Sequence, residues 1–218
     1  MKIDFMATKT KIQNKPNKYN TPKSDSKLIL DMGAGGNKVT LDALLSTPLL
    51  DPQTDNGNVI IKGVDKWQAD GVDIIHDLTK VPFPFKDESI DGIFSSHFFE
   101  HLDGFERAKF MDECYRILKP GGKMRFIHPY GKSVRAVQDF SHKWPPIVET
   151  SYLYWDRNWR EANKLTHGNY DLKANFDFII YYVWMDGTVA QRNEETRNFW
   201  CDKYWNVIAD LIVDMKKR

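Results

Sequence analysis

Leu28-Ile29-Leu30-Asp31-Met32-Gly33-Ala34-Gly35-Gly36 is the stretch that decides the fold class. A short apolar run closed by glycines reads as a strand buried on both faces, as in a parallel sheet. The glycines let the main chain turn and pass close to a ligand at the mouth of that strand. Beyond them, Lys38 to Ser46 is expected to form a helix, with Asn37 as N-cap, Val39, Leu41, Leu44 and Leu45 on its apolar side, and Pro48 as its stop.

Working outward, further strands are expected at Val59 to Val64, ending at Asp65, at Val72 to His76, and at Ile90 to Ser95. Ala108, Met111, Tyr115 and Leu118 recur at spacings of three and four, which marks a helix from Gly104 to Leu118. Lys119-Pro120-Gly121-Gly122 ends it, and Met124 to Ile127 is a fifth strand. Phe176 to Trp184 and Val207 to Met215 give a sixth and a seventh, with a helix between them that starts at Asn193 and opens with Glu194 and Glu195. Strands alternating with helices or long connectors imply an α/β fold, a seven-stranded and mostly parallel sheet with helices on both faces. Ligands of such sheets bind beyond the carboxyl ends of the strands.

Two segments depart from a plain alternation. Only Lys66 to Gly71 separates the second and third strands, too little for the dozen or more residues of a usual parallel crossover. One side of the sheet is therefore expected to be exposed there, or to be covered by the N-terminal segment. Residues 131–175 are rich in Trp, Tyr, His and Pro without a sustained period and read as an insertion that forms a binding loop or lid. The domain organisation expected is a basic, mobile tail at 1–26, carrying Lys2, Lys9, Lys11, Lys15, Lys18 and Lys23, followed by one domain at 27–218.

Composition narrows the function classes. With 41% hydrophobic and 28% charged residues the chain can bury one sizeable core, and a net charge of +1 gives no overall field to draw it onto nucleic acid. It has neither a long apolar run for a membrane span nor an apolar block near Met1 for a signal peptide, so a cytoplasmic location is expected. The two cysteines, Cys114 and Cys201, fall in helical segments without partners at metal or redox spacing, and no metal site is expected. A monomer or homodimer is the expected state.

Three acidic residues stand at strand ends: Asp31 after the first, Asp65 after the second and Asp77 after the third. A carboxylate at Asp65 can accept bonds from both hydroxyls of a ribose. One at Asp77 can take the exocyclic amine of an adenine while Leu78 and Phe83 touch its ring. A nicotinamide dinucleotide site would call for glycine at position 38, where Lys38 stands, so a dehydrogenase is disfavoured.

Taken together these motifs resemble the class I S-adenosylmethionine-dependent methyltransferases, and within them the type 11 subgroup. The matching stretches are Leu28 to Gly35, Gly63-Val64-Asp65, Asp73 to Leu78, Phe83-Pro84-Phe85, Ser89 to Ser96, His97 to Leu102 and Glu113 to Gly122, in the family's order. The resemblance implies the Rossmann-like fold of that class and S-adenosylmethionine as cofactor. It implies that Asp31, Gly33, Ala34 and Gly35 surround the methionine part, that Asp65 with Lys66 holds the ribose, and that Asp77 with Leu78 holds the adenine. Ser95, Ser96 and His97 would line the floor near the transferable methyl. Gln138 to Lys143 more loosely resembles an Asp-Pro-Thr-His stretch of some bacterial and phage members, with Phe140 and Ser141 in place of the proline and threonine.

Transfer from a sulfonium needs an aligned nucleophile and, for an alcohol, phenol or protonated amine, a general base. His142 is the first candidate, with His97, Asp139 and His128 behind it. Trp144, Trp155, Trp159, Tyr152 and Tyr154 can form an aromatic wall for an acceptor, and Arg157 and Arg160 an anionic subsite. A small-molecule acceptor is expected, with no membrane partner. A nucleic-acid methyltransferase is an alternative, although His128-Pro129-Tyr130-Gly131 follows the fifth strand and not the fourth, where base-flipping enzymes carry such a turn. A binding protein that keeps the cofactor pocket without catalysis is another.

Overall fold

The computed structural model describes residues 26–55 and 58–218, so the tail expected at 1–26 lies, apart from Ser26, outside the described residues. The first strand, β1 (Lys27–Met32), is central, because its side chains alternate between two cores: Leu30 and Met32 enter the larger one, Ile29 the smaller. It pairs in parallel with β2 (Val59–Asp65) on one side and β4 (Ile90–Ser96) on the other, and β3 (Ile74–Ile75) adds to β2. β5 (Leu118–Pro129) continues beyond β4 in parallel, whereas β7 (Ile208–Lys217) inserts antiparallel between β5 and β6 (Phe176–Trp184). The sheet order is β3-β2-β1-β4-β5-β7-β6.

On the first face, α2 (Gly104–Ile117) buries Phe110, Met111, Cys114 and Ile117 against Leu30, Met124 and Phe126. Asp103 and Glu106 form a reciprocal capping box at its start, satisfying donors the helix leaves open. The second face is covered by α1 (Leu41–Leu45) and the chain after it, through Leu44, Leu49 and Leu50 packed on Ile29 and Phe94. Farther along that face β6 leaves Ile179 61% and Tyr181 44% exposed. Among the described residues no helix is long and apolar enough to cross a membrane.

α1 is shorter than the 38–46 expected, for a reason that begins in β1. The Asp31 carboxylate accepts the Val39 N–H at 2.7 Å, so the helix can start only after it, and Thr40 rather than Asn37 caps it. β5 begins at Leu118, earlier than expected, because Leu118 pairs with Ile90 across a register shift that absorbs Lys119 to Gly122. The crossover from β2 to β3 contains no helix: Asp73 accepts the Gly63 N–H at 2.8 Å and is paired with Lys38 and Lys62. A methyl group at Gly63 would stand 1.9 Å from the Gly71 carbonyl oxygen, so the returning chain rests directly on strand main chain. Trp67 and Ile75 are exposed at this edge among the described residues, and the other expectation, cover by the N-terminal segment, falls outside them.

The insertion contains α3 (Val134–Val137), α4 (Arg157–Ala162) and 3-10 turns at Glu149–Trp155 and Gly168–Tyr170. Two buried arginines satisfy its irregular carbonyls. Arg107, on the apolar stripe of α2, donates to Phe99, Glu100, Lys143 and Pro145. Arg160 donates to Tyr154, Leu172 and Ala174 and is only 2% exposed, so it is an internal tie and not the anionic subsite expected of it. Before β7 come α5 (Gly187–Ala190) and α6 (Glu194–Lys203), the latter capped by Asn193 as expected. Cys114 is buried and Cys201 partly so, and both are free thiols.

Candidate active site

A cavity of about 590 Å³ opens at the carboxyl ends of β1, β2 and β4. Gly33, Asp65, Lys66, Trp67, Asp77, Leu78 and Thr79 line one part of it, and His97, Phe98, His101, Leu102, Phe140, Ser141 and Lys143 the other. Its size suits a nucleoside-like ligand together with a second small molecule.

The glycine loop is fixed from below. Gly33 and Ala34 donate to the Val64 carbonyl at 2.9 and 3.3 Å, and the Gly35 N–H donates to Asp65 Oδ2 at 3.1 Å. Gly33 has φ +78°, and a side chain there would run into Phe98. Only glycine lets the loop pass between β2 and the cavity at this point. Asp65 Oδ1 also accepts from Trp67 N, which leaves each carboxylate oxygen a further lone pair. Asp77 Oδ1 accepts from both the N–H and the hydroxyl of Thr79, bonds that hold its pKa below the ordinary value and keep Oδ2 as an acceptor for a ligand.

Asp31, Ala34, Gly35, Ser95 and Ser96 do not line the cavity. Asp31 is buried beneath the loop with its carboxylate on Val39 N, and burial raises its pKa to about 6. The Ser95 hydroxyl donates to the Met32 carbonyl at 2.8 Å and stitches β4 to β1. Two of the three strand-end aspartates therefore share the cavity, and the third supports the loop from behind.

At the other end His97 has φ +52°, a left-handed conformation that is costly for a residue with a Cβ and is found at functional sites. Its Nδ1 lies 3.4 Å from Glu100 Oε1, a contact that raises the His97 pKa. Burial works to raise the Glu100 pKa, but the bond with His97 and its cationic surroundings hold it below the ordinary value. His142 is mostly buried: Nδ1 is 3.0 Å from the Ala136 carbonyl, and Nε2 is 4.0 Å from Glu100 Oε1 and 3.9 Å from Asp139 Oδ2. Asp139 bonds the Ser141 N–H and hydroxyl and shapes the turn before His142, outside the lining. His128 is wholly buried between the Pro129 carbonyl and the Tyr152 hydroxyl, and burial lowers its pKa to about 4.

Of the expected aromatic wall, Trp144, Tyr154 and Trp155 line a separate cavity of about 640 Å³ against the start of α2. Tyr152 is buried in the core and Trp159 packs edge-on to Tyr154. Sequence reasoning missed His101 and Lys143 at the cavity end and Glu100 and Arg107 behind them. The spacing His97, Glu100, His101 was the available signal, since residues three and four apart share one side of a helical turn.

Residues 30–126 match the model of a family described as methyltransferase domain. A search of curated protein sequences gave no match. Among solved structures, the chain is similar to a SAM-dependent methyltransferase from Archaeoglobus fulgidus, with a TM-score of 0.53 and 18% identity over 88% of this chain and 86% of that one. It is also similar to a chain in a complex with the Haloferax volcanii Trm112 methyltransferase activator, with a TM-score of 0.50 and 18% identity over 90% and 84%. At such identities the likeness is one of fold. Residues 30–126 thus match a methyltransferase domain, and the chain as a whole shares the fold of an S-adenosylmethionine-dependent methyltransferase.

Proposed function

We propose that the chain transfers a methyl group from S-adenosylmethionine to a small-molecule acceptor bound at the His97 and Lys143 end of the cleft. The observation that carries this reading is the single cavity that joins Asp65 and Asp77 to His97, His101 and Ser141. In it Asp65 accepts from the ribose hydroxyls, Asp77 Oδ2 from the adenine amine, Leu78 meets the ring, and Lys66 borders the ribose. The methionine part runs along Gly33, on a loop that Asp31, Ala34, Gly35 and Ser95 hold in place. When bound, S-adenosylmethionine supplies a methyl carbon made electrophilic by its sulfonium, which departs as a thioether.

His97 is the proposed general base. It faces the cavity, whereas His142 is mostly enclosed, and Glu100 holds Nδ1 so that Nε2 is presented to an acceptor hydroxyl or amine. As the acceptor's lone pair forms the bond to the methyl carbon, its proton passes to His97 Nε2. Glu100 is the positioning residue. Phe140, from the insertion, borders the acceptor end of the cleft with its ring exposed to solvent.

Calorimetry with S-adenosylmethionine is the first test, followed by methyl-transfer assays over small alcohols, phenols and amines. Asp65→Ala should weaken cofactor binding by about 100-fold or more, since hydrogen bonds to a charged group are worth about 1.5–3 kcal/mol each. His97→Ala should keep cofactor affinity and lower kcat by about 10²–10⁴-fold. Unchanged binding in Asp65→Ala would remove the adenosyl assignment, and unchanged turnover in His97→Ala the base.

A further inference from the structure

Beneath the acceptor end lies a side-chain cluster of which the proposed methyl transfer uses only Glu100, through Oε1 on His97. Glu100, His101 and His142 each offer a ligand atom, and the three atoms lie within 4.8 Å of one another. Glu100 and His101 come from the 3-10 turn after β4, and His142 reaches them from the insertion.

The hydrogen bonds around the cluster fix which ring nitrogens are free. His142 Nδ1 faces the Ala136 carbonyl, which can only accept, so Nδ1 carries a proton and Nε2 is the nitrogen available to an ion, 4.0 Å from Glu100 Oε1 and 3.9 Å from Asp139 Oδ2. The Ser141 hydroxyl gives its single proton to Asp139 Oδ1 at 2.7 Å, so at 3.1 Å it accepts from His101 Nδ1, and His101 Nε2 is the nitrogen available to an ion. The two rings meet edge to face with centroids 4.9 Å apart. Glu100 is 5% exposed, and its Oε2 is buried without any hydrogen-bond partner. A buried carboxylate oxygen without a donor is costly, and His142 Nε2, 4.0 Å from the other oxygen, Oε1, is beyond hydrogen-bond reach. A cation satisfies all three.

We propose that Glu100, His101 and His142 bind one divalent transition-metal ion, with Zn²⁺ the best match. Two imidazoles and one carboxylate are a common ligand set for such ions, and a backbone carbonyl on one ring and a hydroxyl on the other are the outer partners that orient metal-binding histidines. Ligands about 2.0–2.1 Å from the ion stand roughly 3.3 Å apart in a tetrahedron, so the cluster closes by drawing in about an ångström. The ion ties the insertion to the end of β4, and its remaining position faces the cavity bordered by His101 and Ser141. The site does not depend on the methyl-transfer reading. A role for the ion in polarising an acceptor oxygen does.

The test uses full-length, tag-free chain freed of metal by chelator and dialysis. Calorimetric titration with Zn²⁺ should give one site per chain, and Co²⁺ should give the visible absorption of a low-coordinate nitrogen and oxygen site. His101→Ala, His142→Ala and Glu100→Gln should each weaken Zn²⁺ binding by more than about 100-fold. Ser141→Ala, which removes only an outer partner, should weaken it by about 10–100-fold. S-adenosylmethionine titrated into the same samples reports separately on fold and cofactor site: loss of cofactor binding with Zn²⁺ binding intact would count against the proposed function alone. Absence of stoichiometric Zn²⁺ and Co²⁺ uptake by the wild-type chain, or wild-type affinity in His142→Ala, overturns the proposal.

Discussion

Replacing Gly33 by alanine tests how the glycine loop meets the cavity. The added Cβ would stand 2.3–2.5 Å from Cγ, Cβ and Cδ2 of Phe98, against about 3.5–4.0 Å for a carbon contact at rest. Two costs follow. Holding alanine at φ +78° costs about 1–2 kcal/mol, and pushing Phe98 aside, away from its packing on Phe110, costs about 1–3 kcal/mol more. Urea denaturation should therefore show Gly33→Ala destabilised by about 2–5 kcal/mol. Calorimetry should show weaker S-adenosylmethionine binding, because Gly33 and Phe98 both line the cavity. In a Phe98→Ala background the steric part disappears, so the same glycine change should cost only about 1–2 kcal/mol there. The two sites should be coupled by about 1–3 kcal/mol in a double-mutant cycle. A Gly33→Ala chain within about 0.5 kcal/mol of wild type, or equal costs in the two backgrounds, would refute the reasoning.

Further outcomes follow from the groups around the loop and the insertion. Asp31 titrates near 6 when folded and near 3.8 when not, so the folded chain holds that proton more tightly between these values. Its contribution to stability is fully present below about 3.8 and lost as pH rises through about 6, a loss of about 3 kcal/mol. Asp31→Asn should accordingly gain on wild type by up to that amount between pH 4 and 7 in chemical denaturation, and a constant difference across the range would contradict the burial argument. Arg107→Met should destabilise the fold by about 3–5 kcal/mol, since it strands the carbonyls of Phe99, Glu100, Lys143 and Pro145, and limited proteolysis should then cut first within 131–175. Intact resistance of that segment would show that other contacts hold it.

Strand positions were legible because burial on both faces writes unbroken apolar runs, and β6 and the start of α6 fall where periodicity and capping put them. The start of α1 was not legible. It depends on a carboxylate eight residues earlier taking Val39 N–H, a contact with no local signature. Strand ends located Asp65 and Asp77 at the cavity, whereas Asp31, Ser95 and Ser96, expected beside the ligand from the family resemblance, lie outside its lining, because position along a strand does not reveal which way a short polar side chain bonds. The insertion was the least readable part, because its order comes from guanidinium groups reaching irregular carbonyls. Arg107 sits on the stripe formed with Phe110, Met111 and Cys114, and a charge in that register was the one clue to a buried tie.

The contact between Gly63 and Gly71 has an evolutionary corollary. Because Gly71 also lies against the main chain of Gly35 and Lys38, the bed under the glycine loop is backbone laid upon backbone. Its thickness is set by the missing side chains of Gly63 and Gly71, so any substitution at either would lift the loop, and descendants of this sequence that keep this half of the cleft would keep both glycines. New acceptor preferences would have to arise at the opposite wall, where Phe140, Ser141 and Lys143 present side chains that selection can exchange.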